Sequence, residues 1–262
     1  MSTDEHRGAR VVFTVLGGPL AVLLIVVTAF AITGTLGRQT ESSPLAFAEP
    51  VTKVRIGMTN GSVTLRGGVG TSVTGERVLT RGIQAPAYSE RVEGDTLVIE
   101  AHCFPLGNTW CDVSYVLDLP ASVEVEVETA VGGIRAFDLT GPLHLRSATG
   151  AVSVEDVSGT LQLESGAGSV SGTGIGSNEV RAFAGAGSVD LAFAGAPTFV
   201  EAATGAGSVD VEVPRDGSTY RIEESPEGDP SIRVAVSTEP TSNRVLKLES
   251  GAGGVSVHYP EA

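Results

Sequence analysis

The sequence is poor in most of the parts from which catalytic or nucleic-acid sites are assembled. Lysine occurs only at Lys53 and Lys247, and the formal net charge is −14. With no basic patch and no interleaving of aromatic and basic residues, nucleic acid is not an expected partner. Histidine occurs only at His6, His102, His144 and His258. None falls in a zinc-protease motif, and neither a nucleophile elbow nor a Cys-His signature is present. The sequence therefore implies no catalytic residue, no cofactor and no metal site. Glycine is plentiful, and Gly172-Thr173-Gly174-Ile175-Gly176 could suggest a phosphate cradle. Such a loop must open a helix, and none follows, so a nucleotide is not expected either.

Uncharged residues run without a break from Val11 to Gly37, with Leu20 to Val27 wholly apolar. About 20 apolar residues suffice to cross a bilayer as a helix. Gly17, Gly18 and Pro19 interrupt the run, which membrane helices tolerate. Arg7 and Arg10 precede it and weakly favour an inside N-terminus. The reading is a cytoplasmic tail at 1–10, a transmembrane helix at 11–37, a linker at 38–50 and an extracytoplasmic domain at 51–262. The localisation implied is the bacterial cell membrane, single-pass, with its own anchor as the membrane contact. A cleaved signal peptide is the alternative, with small-x-small sites at Ala29-Phe30-Ala31 and Ala46-Phe47-Ala48. The apolar run is longer than the roughly 7–15 residues of a typical signal core. The linker, with Gln, Thr, Glu, Ser and two prolines, reads as a short extended tether rather than an element.

From Val51 onward the pattern becomes short alternations, clearest in Val123-Glu124-Val125-Glu126-Val127-Glu128. Period-two alternation makes half-buried strands. No apolar run at helical spacing follows the membrane segment, so the fold class is all-β. One phrase recurs: Gly166 to Ser171 reads Gly-Ala-Gly-Ser-Val-Ser, and Gly185 to Asp190 and Gly205 to Asp210 read Gly-Ala-Gly-Ser-Val-Asp. Seven copies align on Val63, Ile134, Val152, Val170, Val189, Val209 and Val255. Two residues before each stands a glycine: Gly61, Gly132, Gly150, Gly168, Gly187, Gly207 and Gly253. Nine and seven before each stand apolar or small pairs, from Val54 and Ile56 to Leu246 and Leu248. One unit is thus strand, glycine turn, strand, and an unbroken glycine column marks a structural repeat. The glycines are assigned to sharp corners, where φ > 0 or an uncrowded backbone is needed. The residue after each central aliphatic is polar, so the aliphatic faces in and its successor faces out.

One unit cannot bury its apolar side alone, whereas stacked units share a core. The expected architecture is a short β-solenoid, or β-helix-like stack, of strand-turn-strand repeats; a β-sandwich of consecutive hairpins is the alternative. Two gaps break the rhythm. One lies between Val63 and Ile134. The other lies between Val209 and Val255, where Tyr220 to Glu223 and Ile232 to Val236 read as a hairpin. Both inserts are expected to cap the stack or pack beside it, because open strand edges invite aggregation. A membrane segment followed by glycine-punctuated repeats with the Ser-Gly-Ala-Gly-Ser-Val phrase resembles the bacterial putative-adhesin family of envelope proteins. That resemblance covers roughly Val51 to Tyr259; it implies a β-solenoid-like fold and a surface role, and it transfers no catalytic residue.

Cys103 and Cys111 end and begin two expected strands across a hairpin mouth, and an exported domain favours their disulfide. Metal binding would need more ligands than nearby His102 supplies. Trp110, the only tryptophan, either covers that bridge or makes an exposed contact. Asp190 and Asp210 resemble calcium-binding repeats, but the glycine spacing is wrong and a solvated outer ladder fits better. The function expected is a surface interaction, adhesin-like or scaffold module, its partner an envelope protein or a glycan. The alternatives are a partner of an envelope-stress sensing or regulatory membrane system and a carbohydrate-active β-helix enzyme. The enzyme would need charged groups gathered on long loops, and these turns are short.

Overall fold

A computed structural model describes residues 39–81, 85–103, 111–225 and 232–260. The expected cytoplasmic tail and transmembrane helix lie outside the described residues. Those described form twenty-one strands and no helix. They begin with β1 (Gln39–Phe47), β2 (Lys53–Asn60), β3 (Val63–Gly68), β4 (Val73–Arg81), β5 (Ala87–Glu93), β6 (Thr96–His102) and β7 (Asp112–Pro120). The repeats proper are β8 (Glu124–Val131), β9 (Ile134–Phe137), β10 (Leu143–Thr149), β11 (Val152–Glu155), β12 (Leu161–Ala167), β13 (Val170–Ile175), β14 (Glu179–Ala186), β15 (Val189–Phe193), β16 (Phe199–Ala206) and β17 (Val209–Glu212). The chain ends with β18 (Arg221–Ser225), β19 (Ile232–Val234), β20 (Val245–Ser250) and β21 (Val255–His258).

From β8 onward each unit places its first strand in one sheet and its second in the other. Equivalent strands of successive units then pair in parallel. The eleven-stranded sheet A runs β1-β4-β7-β3-β9-β11-β13-β15-β17-β21-β19. The ten-stranded sheet B runs β18-β20-β16-β14-β12-β10-β8-β2-β6-β5. The molecule is therefore a stack of two-strand coils, not a sandwich of hairpins. The register keeps repeat equivalents together: Ile134, Val152, Val170, Val189, Val209 and Val255 form one inward row. Their side chains, with Leu145, Leu163 and Leu246 from sheet B, are buried in a single core between the sheets.

The corners explain the glycine column. Each of the seven has φ between +137° and +152°, a region L side chains rarely enter. A Cβ on Gly187 would stand 2.4 Å from the carbonyl oxygen of Gly168, and one on Gly168 would stand 2.5 Å from that of Gly150. Corner glycines thus stack backbone on backbone, and the side chain is excluded by the coil next to it. Buried hydroxyls brace this column: Ser147 Oγ donates to Gly132 O (2.8 Å), Ser165 Oγ to Gly150 O (2.9 Å), Thr204 Oγ1 to Gly187 O (2.7 Å) and Ser250 Oγ to Gly207 O (2.9 Å). Ala184, in register between Ser165 and Thr204, interrupts the series.

Stacking order departs from chain order at both ends. The coil β6–β7 lies outside β2–β3, although it follows it in sequence, and it is covered in turn by antiparallel β5 and β4. The coil β20–β21 slips between β16–β17 and β18–β19. Both inserts therefore sit at the ends of the stack, but the second is not the hairpin expected. β18 and β19 belong to different sheets, each paired in parallel with its neighbour in the last repeat. The stretch read as a tether is also more than that. Residues 39–47 form β1, the edge of sheet A, antiparallel to β4. An edge strand is held by backbone hydrogen bonds on one side and needs no apolar alternation, which is why its polar sequence concealed it.

Candidate functional site

The two coil faces differ in chemistry. On sheet A the outward row contains Thr64, Arg135, Ser153, Ser171, Asp190, Asp210 and Ser256. His258 Nε2 stands 3.0 Å from Asp210 Oδ2, and its Nδ1 is 3.0 Å from the Tyr259 carbonyl oxygen. Those two acceptors, the carbonyl first, hold the imidazole above its ordinary range. Burial, reinforced by Asp210, pushes the Asp190 carboxyl up. Among the described residues no group of three or more His, Cys, Asp or Glu could hold a metal ion.

Sheet B carries a charge grid. One outward row runs Arg55, Glu126, His144, Gln162, Arg181, Glu201, Lys247 and Glu223. The next runs Glu128, Arg146, Glu164, Phe183, Ala203 and Glu249. Cations and carboxylates on adjacent coils pair across the ladder: Arg55 with Glu126 (3.1 Å), Arg146 with Glu164 (2.9 Å), Arg181 with Glu201 (3.6 Å) and Lys247 with Glu201 (2.6 Å). Each exposed pair contributes little to stability. Their regularity matters more, because it fixes long side chains in rows on a flat surface. Alternation fails where a cation would follow Glu164: Phe183 stands there instead, 48 % exposed.

Around Phe183 the surface dips into a shallow depression of about 200 Å³ lined by Gln162, Glu164, Arg181, Glu201 and Ala203. Small Ala203 next to the ring leaves one side of it bare. Arg181 is held on two sides, by Glu179 (2.5 Å) and Glu201 (3.6 Å), and lies 5.2 Å from the Phe199 ring centre. The result is an apolar ring framed by fixed carboxylate, guanidinium and amide groups. Sequence reasoning missed Phe183. The signal was present in Arg181-Ala182-Phe183-Ala184, where the alternation puts the alanines inward and the large aromatic outward.

The cysteines are joined as expected, with Cα atoms 5.8 Å apart. They do not close a hairpin, however: β6 lies in sheet B and β7 in sheet A, so the disulfide staples the corner of one end coil. In that coil Val113 occupies the place a corner glycine holds elsewhere, against Gly61. Trp110 lies outside the described residues. The seven corner glycines are brought into one column far from Phe183 in role, since they shape the stack and leave its surface to other residues.

No protein-family model matches the chain, and no curated protein matches it. Among solved structures it is similar to a putative adhesin from Bacteroides fragilis NCTC 9343, with 14 % identity, 84 % of this chain and 97 % of that one covered, and a TM-score of 0.48. It is also similar to a putative cell adhesion protein from Clostridium sporogenes ATCC 15579, with 13 % identity, 85 % and 100 % covered, and a TM-score of 0.41. A putative adhesin from Parabacteroides merdae ATCC 43184 gives 9 % identity, 85 % and 97 % covered, and 0.41. Two are described as putative adhesins and one as a putative cell adhesion protein.

Proposed function

We propose that this chain is a membrane-anchored, extracytoplasmic interaction module whose binding face is the outer surface of sheet B around Phe183. The observation that carries the reading is the exposed aromatic in a frame of immobilised charges. Interfaces concentrate affinity in a few aromatic and arginine anchors surrounded by polar groups. Here Phe183 and Arg181 are such anchors, pre-ordered by rigid strands, so little side-chain entropy is lost on binding. The depression is too shallow to enclose a small substrate, and its charged groups are already committed to one another, which favours binding over catalysis. The apolar run at 11–37 would hold the domain on the outer side of the bacterial membrane. An envelope glycan presenting the apolar face of a sugar ring, or an envelope protein, would suit this surface.

Full-length protein in detergent, immobilised and exposed separately to envelope glycans and to envelope protein extract, tests the proposal. Binding in either arm should fall at least about tenfold for Phe183→Ala, the loss expected of an anchor worth about 1.4 kcal/mol. It should be unchanged for Ser171→Ala on the opposite face. Equal binding by both variants, or none by wild type in either arm, would overturn the assignment.

A further inference from the structure

The outward row of sheet B that contains Phe183 is short of cations. From β8 onward it reads Glu128, Arg146, Glu164, Phe183, Ala203, Glu249. Charges alternate as far as Glu164, and the place of the next cation is taken by an aromatic ring and then a methyl group. The adjoining row keeps its cations on the same stretch, at Arg181 and Lys247. A space is therefore left above Ala203. The Phe183 ring on β14 bounds it on one side, and Glu201, two residues back along β16, bounds it on another. All three residues line the depression around the ring.

The carboxylates beside this space are paired but not saturated. Glu164 accepts from Arg146 Nη1 on Oε2 (2.9 Å) and from Gln162 Nε2 on Oε1 (3.0 Å). Glu201 Oε1 accepts from Lys247 Nζ (2.6 Å). Among the described residues its Oε2 has only Arg181 Nε, at 3.6 Å, which is too long for a hydrogen bond. Glu201 Oε2 is thus the open acceptor of the depression. An apolar group seated against the ring would cover that oxygen and leave it unsatisfied, at a cost. A cation would satisfy it through a charge-assisted bond and meet the negative face of the ring as well. Neighbouring strands lie about 4.8 Å apart, and a cation held by a ring sits within about 6 Å of its centre. One charged group above Ala203 can therefore serve both contacts. The sign of the whole chain agrees, since a formal net charge of −14 repels polyanions and draws cationic partners.

We infer that the space above Ala203 receives a lysine or arginine side chain from a basic segment of a partner protein, with Phe183 as its ring and Glu201 as its carboxylate. Resting on the proposed Phe183 face, this assignment narrows the occupant from an envelope glycan or protein to a cationic polypeptide. The partner supplies the cation that the row lacks, so the fixed alternation of charges gives register as well as attraction.

Immobilised full-length protein in detergent, titrated with two synthetic peptides, tests this. One peptide alternates lysine and serine; the other has glutamine for lysine. Affinity for the lysine peptide should exceed that for its counterpart about tenfold or more and should fall as salt is raised. Phe183→Leu keeps the apolar bulk but removes the ring, and should weaken lysine-peptide binding about fivefold. Glu201→Gln should weaken it by a comparable factor. Phe183→Lys fills the space with the chain's own cation and should abolish the preference for lysine. Glu155→Gln removes an exposed carboxylate from sheet A and should change nothing. Unchanged circular dichroism of each variant confirms that it has folded. Equal affinity for the two peptides, or a loss in Glu155→Gln matching that in Glu201→Gln, would overturn the inference. So would preferential capture of envelope glycans. Envelope binding that falls for Phe183→Ala but not for Phe183→Leu would overturn the cationic partner and leave the Phe183 face standing; indifference to Phe183→Ala would remove the face itself.

Discussion

At the residue scale the corner glycines and the hydroxyls beside them form one device with two functions. Glycine lets neighbouring coils approach until backbone meets backbone, and serine or threonine then satisfies the carbonyl exposed by that approach. Gly187→Val should destabilise the fold by about 2–4 kcal/mol, from positive-φ strain together with overpacking against Gly168 O. Gly195→Val, with open space around its Cβ position, should leave the denaturation midpoint nearly unchanged. Ala184→Ser is predicted to complete the hydroxyl series at Gly168 O and to stabilise by about 0.5–1 kcal/mol; a lower melting temperature would refute that role. His258 offers a third test. Its folded pKa lies above the ordinary value, so its contribution to stability is full below the unfolded pKa and fades as pH rises through the folded one. In an NMR titration its midpoint should lie above 6.5 and move down in Asp210→Asn, which removes the carboxylate charge that helps to raise it.

At the element scale the end coils depend on different closures. The disulfide replaces the glycine corner in β6–β7, so reduction should loosen that coil before the interior ones. Cys103→Ser with Cys111→Ser should cost about 2–3 kcal/mol by loop-closure entropy. Hydrogen exchange should register the loss first in β6 and β7, and uniform loss across β8 to β17 would contradict a local staple. The seven interior copies were legible in the sequence because the corner glycine and the inward aliphatic residues recur at fixed offsets. The two end coils were not. In β7, Val113 stands where the glycine would be, and β18 and β19 are separated by a proline-bearing insert. Edge strand β1 was hidden because its pairing with β4 is made by backbone, to which composition is nearly blind. Periodicity likewise shows which strands are equivalent but not which are adjacent, so the exchanged order of the end coils could be read only from pairing. Phe183 does not show in the periodicity because it is the residue that breaks the pattern of its row.

At the scale of the whole molecule the repeat makes a stack with two flat sides and two differently built ends. Its acidic balance coexists with a grid in which sheet B's cations lie beside carboxylates on neighbouring coils, leaving the excess negative charge to be carried elsewhere on the surface. The threaded ends also constrain folding order. β20–β21 must enter between β16–β17 and β18–β19, and β18 and β19 lack their proper neighbours until it does. Pairings of such sequence separation form slowly.

The placement of β1 has a mechanical consequence. This strand connects the N-terminal segment to the rod, and it is bonded along one side only. Tension between an anchor and a captured partner would load this strand first and could strip it from β4 while the coils beneath stay intact. At roughly 3.3 Å per extended residue, its release would lengthen the leash by about 30 Å. On relaxation the strand can rezip along the same antiparallel register. In the proposed arrangement β1 would serve as a reversible extension spring between the anchor and the proposed binding face.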